Sequence, residues 1–241
     1  MSVVDRFEEW GAGYSGCDGG DIGNPDKPSV WVCGIEWGGG HSPVELEGSL
    51  LDDVSTPPPG YSSWQENLAY IFNWQVMKIL SAISGGSVEE YKSFAENNKP
   101  FVGCDSGYFK MNLYPIGFKD TSQKRWIEDF EVVTGFGSKF DYLEWCSECR
   151  FPQIRGWAKK YKPKLILCLG KSYADDFLKA FHEEGAEFNT EIIDDRELRW
   201  VCNSDGALVV VVPFMVNANG LVRNASIQRF GDRVYEILVS I

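Results

Sequence analysis

Short apolar runs of strand length alternate with longer helical patterns along most of this chain of 241 residues. The clearest runs lie at 30–33, 108–115, 163–170, 199–202 and 207–212, and glycine, proline or asparagine ends or follows each one. Amphipathic patterns typical of helices separate most of these runs. Because strands that alternate with helices form a sheet covered on both faces, the sequence predicts an α/β fold. We expect three αβα layers around a mostly parallel central sheet.

The predicted helices complete this arrangement. They lie at 64–83, 123–133, 142–160, 172–184 and 227–239. The segment Asn203–Gly206 separates the last two strands and is typical of a hairpin turn. Glycine and aspartate are frequent in residues 1–28, which we expect to form an irregular N-terminal cover. Residues 1–241 are therefore interpreted as a single domain with that cover.

Composition bears on the size of the core and on the cellular compartment of such a domain. The chain is 44% hydrophobic and 14% aromatic, which is enough to bury one sizeable core. It contains no apolar stretch long enough to span a membrane and no basic-then-apolar secretion signal. Seven cysteines, mostly within apolar strands, suit a reducing compartment better than a disulfide framework. We expect a cytoplasmic protein without a membrane partner, and a monomer.

The charge is strongly negative and unevenly distributed. A formal net charge of -12 argues against a simple high-affinity nucleic-acid binder, because phosphate neutralisation by lysine and arginine normally drives such binding. Residues 1–53 hold eleven acids and two bases, whereas residues 150–171 hold seven bases and no acid. The basic segment is either a solvated helix face or part of a nucleic-acid contact.

Cys146 and Cys149 form a C-x-x-C pair. Such a pair could hold a metal ion or an iron–sulfur cluster if two more ligands were near. Cys17 and Cys104 stand alone, and the chain has only two histidines. We therefore expect free thiols here, with no metal and no cofactor.

Three polar residues stand at or near the ends of apolar strands: Glu36, Asn112 and Asn217. Strand ends at one edge of a mostly parallel sheet converge on a shared crevice. A carboxylate there can orient water or stabilise positive charge, and an asparagine complements the amide-like edge of a base. The alternatives are a turn role for the asparagines and a protonated, merely hydrogen-bonded Glu36.

At these residues the chain resembles the uracil-DNA glycosylase superfamily. Gly34–Gly38 is similar to its first motif, and Lys110–Leu113 to the strand whose asparagine reads the flipped base. The segment 149–170 resembles the helix and strand of the microbial branches. Asn217–Leu221 is similar to the second motif of the mismatch-specific branch. The resemblance runs from residue 29 to the C-terminus in the family's order, and implies a uracil-DNA glycosylase-like fold.

The resemblance also implies roles around the base. Asn112 would read a base extruded from DNA, and Glu36 would orient the attacking water and stabilise the cationic sugar. Asn217 would donate to the leaving base. Phe72 or Tyr61 would stack on it. Trp37, which stands where the family has proline, either lines the base site or fills it.

Further residues would contact the DNA. Leu221 is the wedge that the resemblance implies for the vacated stack. Arg223 and Arg229 would approach phosphates, although both also fit an ordinary helix surface.

Three hypotheses follow. The first is a DNA base-excision glycosylase that hydrolyses the N-glycosidic bond of a damaged or modified base. The second is a catalytically inactive domain that binds a nucleobase or nucleic acid, with a regulatory or defence role. The third is an acidic interaction module for a basic protein partner.

Overall fold

The computed structural model describes residues 2–120, 122–183, 185–216 and 220–241. Within these ranges seven strands form one mixed sheet in the order β1-β3-β2-β4-β7-β6-β5. The strands are β1 (Cys17–Gly20), β2 (Val30–Gly34), β3 (Tyr108–Asn112), β4 (Leu165–Leu169), β5 (Asn189–Ile193), β6 (Arg196–Cys202) and β7 (Leu208–Val212). The central strands β3, β2, β4 and β7 are parallel, and β1, β6 and β5 are antiparallel to their neighbours. The predicted α/β class with a mostly parallel centre is confirmed.

Helices cover both faces of this sheet. They are α1 (Val3–Ala12), α2 (Pro43–Ser49), α3 (Trp64–Asn67), α4 (Ile71–Ile83), α5 (Tyr91–Asn98), α6 (Glu128–Thr134), α7 (Lys139–Trp145), α8 (Phe151–Tyr161), α9 (Ala174–Phe181) and α10 (Asn224–Ser240). No helix in the described ranges is long and apolar enough to cross a membrane.

Side-chain alternation along the strands divides the core in two. In β2, Trp31 and Cys33 belong to the apolar cluster under α1, α2 and α6 to α9. Val30 and Val32 belong to the cluster under α4, α5 and α10. Every residue of β2 is buried, as expected for a strand with helices on both sides. The three predicted layers follow from these two clusters.

Part of the N-terminal segment is regular, so the expectation that residues 1–28 are irregular is wrong for Val3–Ala12 and Cys17–Gly20. Helix α1 begins with a capping box, in which the side chain of Ser2 accepts from the Asp5 N–H and the side chain of Asp5 accepts from the Ser2 N–H. Strand β1 then pairs with β3 and forms an edge of the sheet. The first 28 residues thus supply both a helix of one layer and an edge strand.

Several other elements differ from their predicted form, among them a helix that contributes to the site and an edge strand. The helix expected at 64–83 is divided into α3 and α4, which places Phe72 in the first turn of α4. Strand β5 was not predicted, and most of its residues are exposed. It pairs with β6 and so adds one strand to the expected hairpin.

A buried arginine joins the N-terminal segment to the end of β3. Between α7 and α8 the chain forms one π-helical turn, Cys146–Arg150, and Arg150 at its end is fully buried. Its guanidinium donates to main-chain carbonyls on both sides, those of Gly11, Gly13, Ser15, Asn112 and Leu113. This contact fixes the strand end that carries Asn112.

Candidate functional site

A cavity of about 580 Å³ lies at the carboxyl ends of β2 and β3. Its volume is within the range typical of small-molecule sites. The glycine-rich turn 34–40 forms one wall, and residues of β1, β3, α4 and the segment after β7 form the rest together with Tyr61 and Tyr70. The structure brings four of the predicted site residues together here: Glu36, Trp37, Phe72 and Asn112.

Glu36 contributes a carboxyl group to this cavity. Its side chain is 6% exposed, and Oε2 lies 3.4 Å from Nζ of Lys139. Burial raises the pKa of Glu36 to about 7, although the ammonium of Lys139 opposes that rise. Oε1 is buried and has no hydrogen-bond partner among the described residues. A carboxyl with its pKa near neutrality can take a proton from a bound water.

Lys139 was not predicted as a site residue. Its side chain is 1% exposed, and Nζ lies 3.9 Å from the ring centroid of Phe118. Burial lowers the pKa of Lys139, and the nearby Glu36 and Asp120 carboxylates oppose this. Lys139 precedes the helix expected from residue 142, and nothing in the sequence links it to Glu36.

Asn112 is held in one orientation. Its Nδ2 donates to the Gly16 carbonyl at 3.0 Å, and the residue is 5% exposed. Since a carbonyl only accepts, the atom bonded to Gly16 is the amide nitrogen, and the remaining terminal atom of the side chain is the oxygen Oδ1. Asn112 pairs with Gly34 of β2, and that position has no side chain to displace Oδ1. The amide therefore offers an acceptor to a ligand in the cavity.

A polar network lies opposite, centred on the Tyr61 hydroxyl. Tyr61 donates to Asp18 Oδ1 at 2.8 Å and accepts from Asn73 Nδ2 at 3.0 Å. Nζ of Lys110 lies 3.0 Å from Asp18 Oδ1 and 3.2 Å from the Tyr61 hydroxyl. Sequence reasoning named Tyr61 alone among these, as an alternative stacking ring. In the structure the hydroxyl of Tyr61 makes hydrogen bonds with all three of the other residues in this network.

Aromatic rings supply the apolar wall. Phe72 packs against Phe214 with centroids 5.8 Å apart, and both line the cavity. Lys110 Nζ lies 5.1 Å from the Phe72 ring centroid. Trp37 is 39% exposed, packs beside His41 and borders a cavity that stays open. The indole thus lines the site and does not fill it.

The remaining predicted residues lie elsewhere. Asn217 lies outside the described residues, but Val216 immediately before it lines the cavity. Leu221 is fully buried in the core, although a wedge would have to stand at a surface. Arg223 is exposed beside the first turn of α10, and Arg229 is exposed and paired with Asp194. These two arginines are not among the residues lining the cavity.

The two cysteines of the C-x-x-C pair differ in exposure. Cys146 is buried, which raises its thiol pKa to about 12, and Cys149 is exposed. Among the described residues, no group of three His, Cys, Asp or Glu side chains could hold a metal ion. In the basic segment, Arg150 is a buried structural residue, while Lys159 and Lys160 lie on the exposed face of α8.

No protein-family model matches the chain, and no curated protein matches it. The chemistry of the cavity therefore has to be inferred from its own side chains.

Proposed function

We propose that this cavity binds a nucleobase and that the protein hydrolyses the N-glycosidic bond of a damaged or modified base flipped out of DNA. What carries this inference is the meeting of Glu36, Asn112 and Phe72 in one cavity. They supply a proton acceptor, a hydrogen-bonding amide and a ring on which a base can stack. These are the groups that a glycosyl hydrolysis on a flipped base needs.

In the proposed reaction, ionised Glu36 accepts a proton from a water molecule. The water oxygen bonds to the anomeric carbon while the bond from that carbon to the base nitrogen breaks. The electron pair leaves with the base, which then takes up a proton. The Glu36 carboxylate also stabilises the positive charge that develops on the sugar.

Lys139 supports this role by keeping part of Glu36 ionised near neutral pH. Without it, burial alone would set the pKa of the carboxyl. Asn112 would bind an edge of the base, and Phe72 would stack on its face.

Similarity to the uracil-DNA glycosylase superfamily supports the same function. Its two strand-end motifs correspond to Glu36 on the turn after β2 and Asn112 at the end of β3, and these strands are neighbours. An α/β sheet with a parallel centre is compatible with that family. We infer a divergent member, in which Asn217 would donate to the leaving base.

A second candidate is a domain that binds a base without cleaving it, in regulation or defence. Two observations favour it: Lys139 Nζ lies 3.4 Å from Glu36 Oε2 and pairs with that oxygen, and the net charge is -12. Strong negative charge weakens binding to DNA.

The deciding experiment incubates the protein with oligonucleotides that contain uracil, hypoxanthine or a thymine mismatch, and with oligonucleotides that contain a mispaired adenine or cytosine. Glycosylase activity would appear as alkali-labile sites that Glu36→Gln abolishes. The matched control Glu47→Gln changes an exposed glutamate of α2 and should cleave normally. No cleavage, combined with base binding that Asn112→Ala weakens, would favour the second candidate. If the protein neither cleaves nor binds a base, both candidates are wrong.

A further inference from the structure

We propose that the cavity selects a base with an exocyclic amino group over the counterpart that carries a carbonyl at the same position. Such selectivity rests on the proposed function, since it concerns the same base site. The evidence is an excess of hydrogen-bond acceptors on the cavity wall.

Two buried side-chain oxygens of residues that line this cavity lack donors. Asp18 Oδ2 and Asn73 Oδ1 are both buried, and neither has a hydrogen-bond partner among the described residues. Both residues line the cavity. A buried acceptor without a donor is costly, so a ligand N–H that binds either oxygen relieves that cost.

The network around Tyr61 fixes both groups as acceptors. The single hydroxyl proton of Tyr61 is given to Asp18 Oδ1, and the amide of Asn73 donates to the hydroxyl oxygen. Asn73 Nδ2 also donates to the Asn67 carbonyl at 3.2 Å, which excludes the flipped amide because a carbonyl cannot donate. Asp18 and Asn73 are therefore both bonded to the Tyr61 hydroxyl, whose single proton is already donated to Asp18 Oδ1. That proton is not available to Asp18 Oδ2 or Asn73 Oδ1.

Asn112 adds a third acceptor. Its Nδ2 is bound to the Gly16 carbonyl, so Oδ1 is the atom left for a ligand. Lys110 supplies the complementary donor, because two of its three N–H groups reach Asp18 and Tyr61 and one is left over.

Two of these three acceptors, together with the one donor, match the edge of an amino-substituted base. The amino group provides two N–H donors to the oxygens, and the adjacent ring nitrogen accepts from Lys110. Adenine and cytosine have this edge. Hypoxanthine and uracil place a carbonyl oxygen where the amino group was, against the carboxylate and amide oxygens of the wall. Their binding should be weaker because like partial charges then face each other.

The test is titration calorimetry of the full chain with two matched pairs of free bases, adenine with hypoxanthine and cytosine with uracil. The amino member of a pair should bind roughly tenfold tighter or more, which is the discrimination expected from hydrogen bonds to buried polar groups.

Asp18→Asn tests the acceptor directly, because it can replace the unpartnered Oδ2 by an amide donor. The variant should lose or reverse the preference for the amino base. The matched control is Asp21→Asn. Asp21 is also a buried carboxylate near a lysine, but it does not line the cavity, so this variant should keep the wild-type preference for the amino base. Since Asp18→Asn leaves Lys110 without its charge partner, its folding is checked by thermal unfolding. Asn73→Leu, which changes no charge, should also reduce the preference.

Binding of the carbonyl member as tightly as the amino member, or tighter, would overturn the selectivity and leave a base site in place. Binding of no base from either pair would overturn the selectivity, and if no oligonucleotide is cleaved either, it would overturn the proposed function as well.

Discussion

Gly34 and Asn112 face each other across β2 and β3 with no room for a side chain between them. A Cβ on Gly34 would lie 2.4 Å from Asn112 Oδ1. The amide cannot simply turn away, since Nδ2 is bound to the Gly16 carbonyl and the main-chain carbonyl of Asn112 accepts from Arg150. The glycine that begins the turn to Glu36 therefore also sets the position of the asparagine on the next strand.

Gly34→Ala should disturb base binding without changing any group that touches the base. The added methyl displaces the Asn112 amide, and we expect affinity for a free base to fall about tenfold, the effect of one lost hydrogen bond to a ligand. Titration calorimetry measures it. Gly156→Ala is the control, because it adds the same methyl on α8 where nothing lies within 4 Å. Unchanged affinity in folded Gly34→Ala would contradict the assigned role of Asn112.

Glu36 should give the hydrolysis its pH dependence. The carboxylate is the active form and its pKa is raised to about 7, so the rate should rise about tenfold per pH unit below that value and level off above it. Glu36→Gln should lower the rate by roughly 10²–10⁴ and remove this dependence, while base binding remains. Single-turnover cleavage across the pH range measures both effects. A wild-type profile that is flat through pH 7 would exclude Glu36 as the base.

Lys139 should determine where that profile lies. Its ammonium stabilises ionised Glu36, so Lys139→Met leaves burial unopposed and raises the pKa of the carboxyl further. We expect the midpoint of the rate profile to move to higher pH by about one unit or more, with the plateau retained. Lys124→Met, which removes an exposed lysine, should leave the midpoint in place. A midpoint that moves to lower pH in Lys139→Met would be inconsistent with this ion pair.

A site residue can be predicted from the sequence when the signal for it lies in the neighbouring residues, and cannot when its role depends on a partner far away in the chain. Glu36 and Asn112 could be predicted because each follows an apolar run, and parallel strands bring their carboxyl ends together. Lys139 and Asp18 could not, because their partners Glu36 and Lys110 are 103 and 92 residues away in sequence. Only the packed layers bring these charges together.

The N-terminal segment shows a different reason for failure. Glycine-rich composition favoured a loop, yet β1 forms with Gly19 at φ 101° and Gly20 at φ 108°, a backbone conformation that other residues rarely adopt. The strand forms because it pairs with β3, and not because its residues have a high β propensity. Helix α1, in contrast, carried a local signal, the spacing of Ser2 and Asp5.

Phe72 should contribute stacking energy to base binding. Phe72→Ala removes the ring from the cavity wall, and we expect a loss of roughly 1–3 kcal/mol, the usual value for stacking of a base on an aromatic side chain. Equilibrium titration with a free base measures it, and Phe72→Tyr should bind nearly normally. Phe140→Ala is the control, because Phe140 is 64% exposed and does not line the cavity. Equal losses in Phe72→Ala and Phe140→Ala would mean that Phe72 does not stack on the base.

Arg150 should be required for the stability of the whole site. Arg150→Met leaves the buried carbonyls of the N-terminal segment and of Asn112 without their donor, and we expect the free energy of unfolding to fall by roughly 3–5 kcal/mol, because each unsatisfied buried acceptor costs about 1–3 kcal/mol. Arg150→Lys should restore little, since one ammonium cannot reproduce the fork geometry of a guanidinium. Urea denaturation measures the loss. Lys159→Met, on the exposed face of α8, should change stability by no more than about 0.5 kcal/mol. If Arg150→Met loses no more than that control, the N-terminal segment must be held to β3 by its apolar contacts alone.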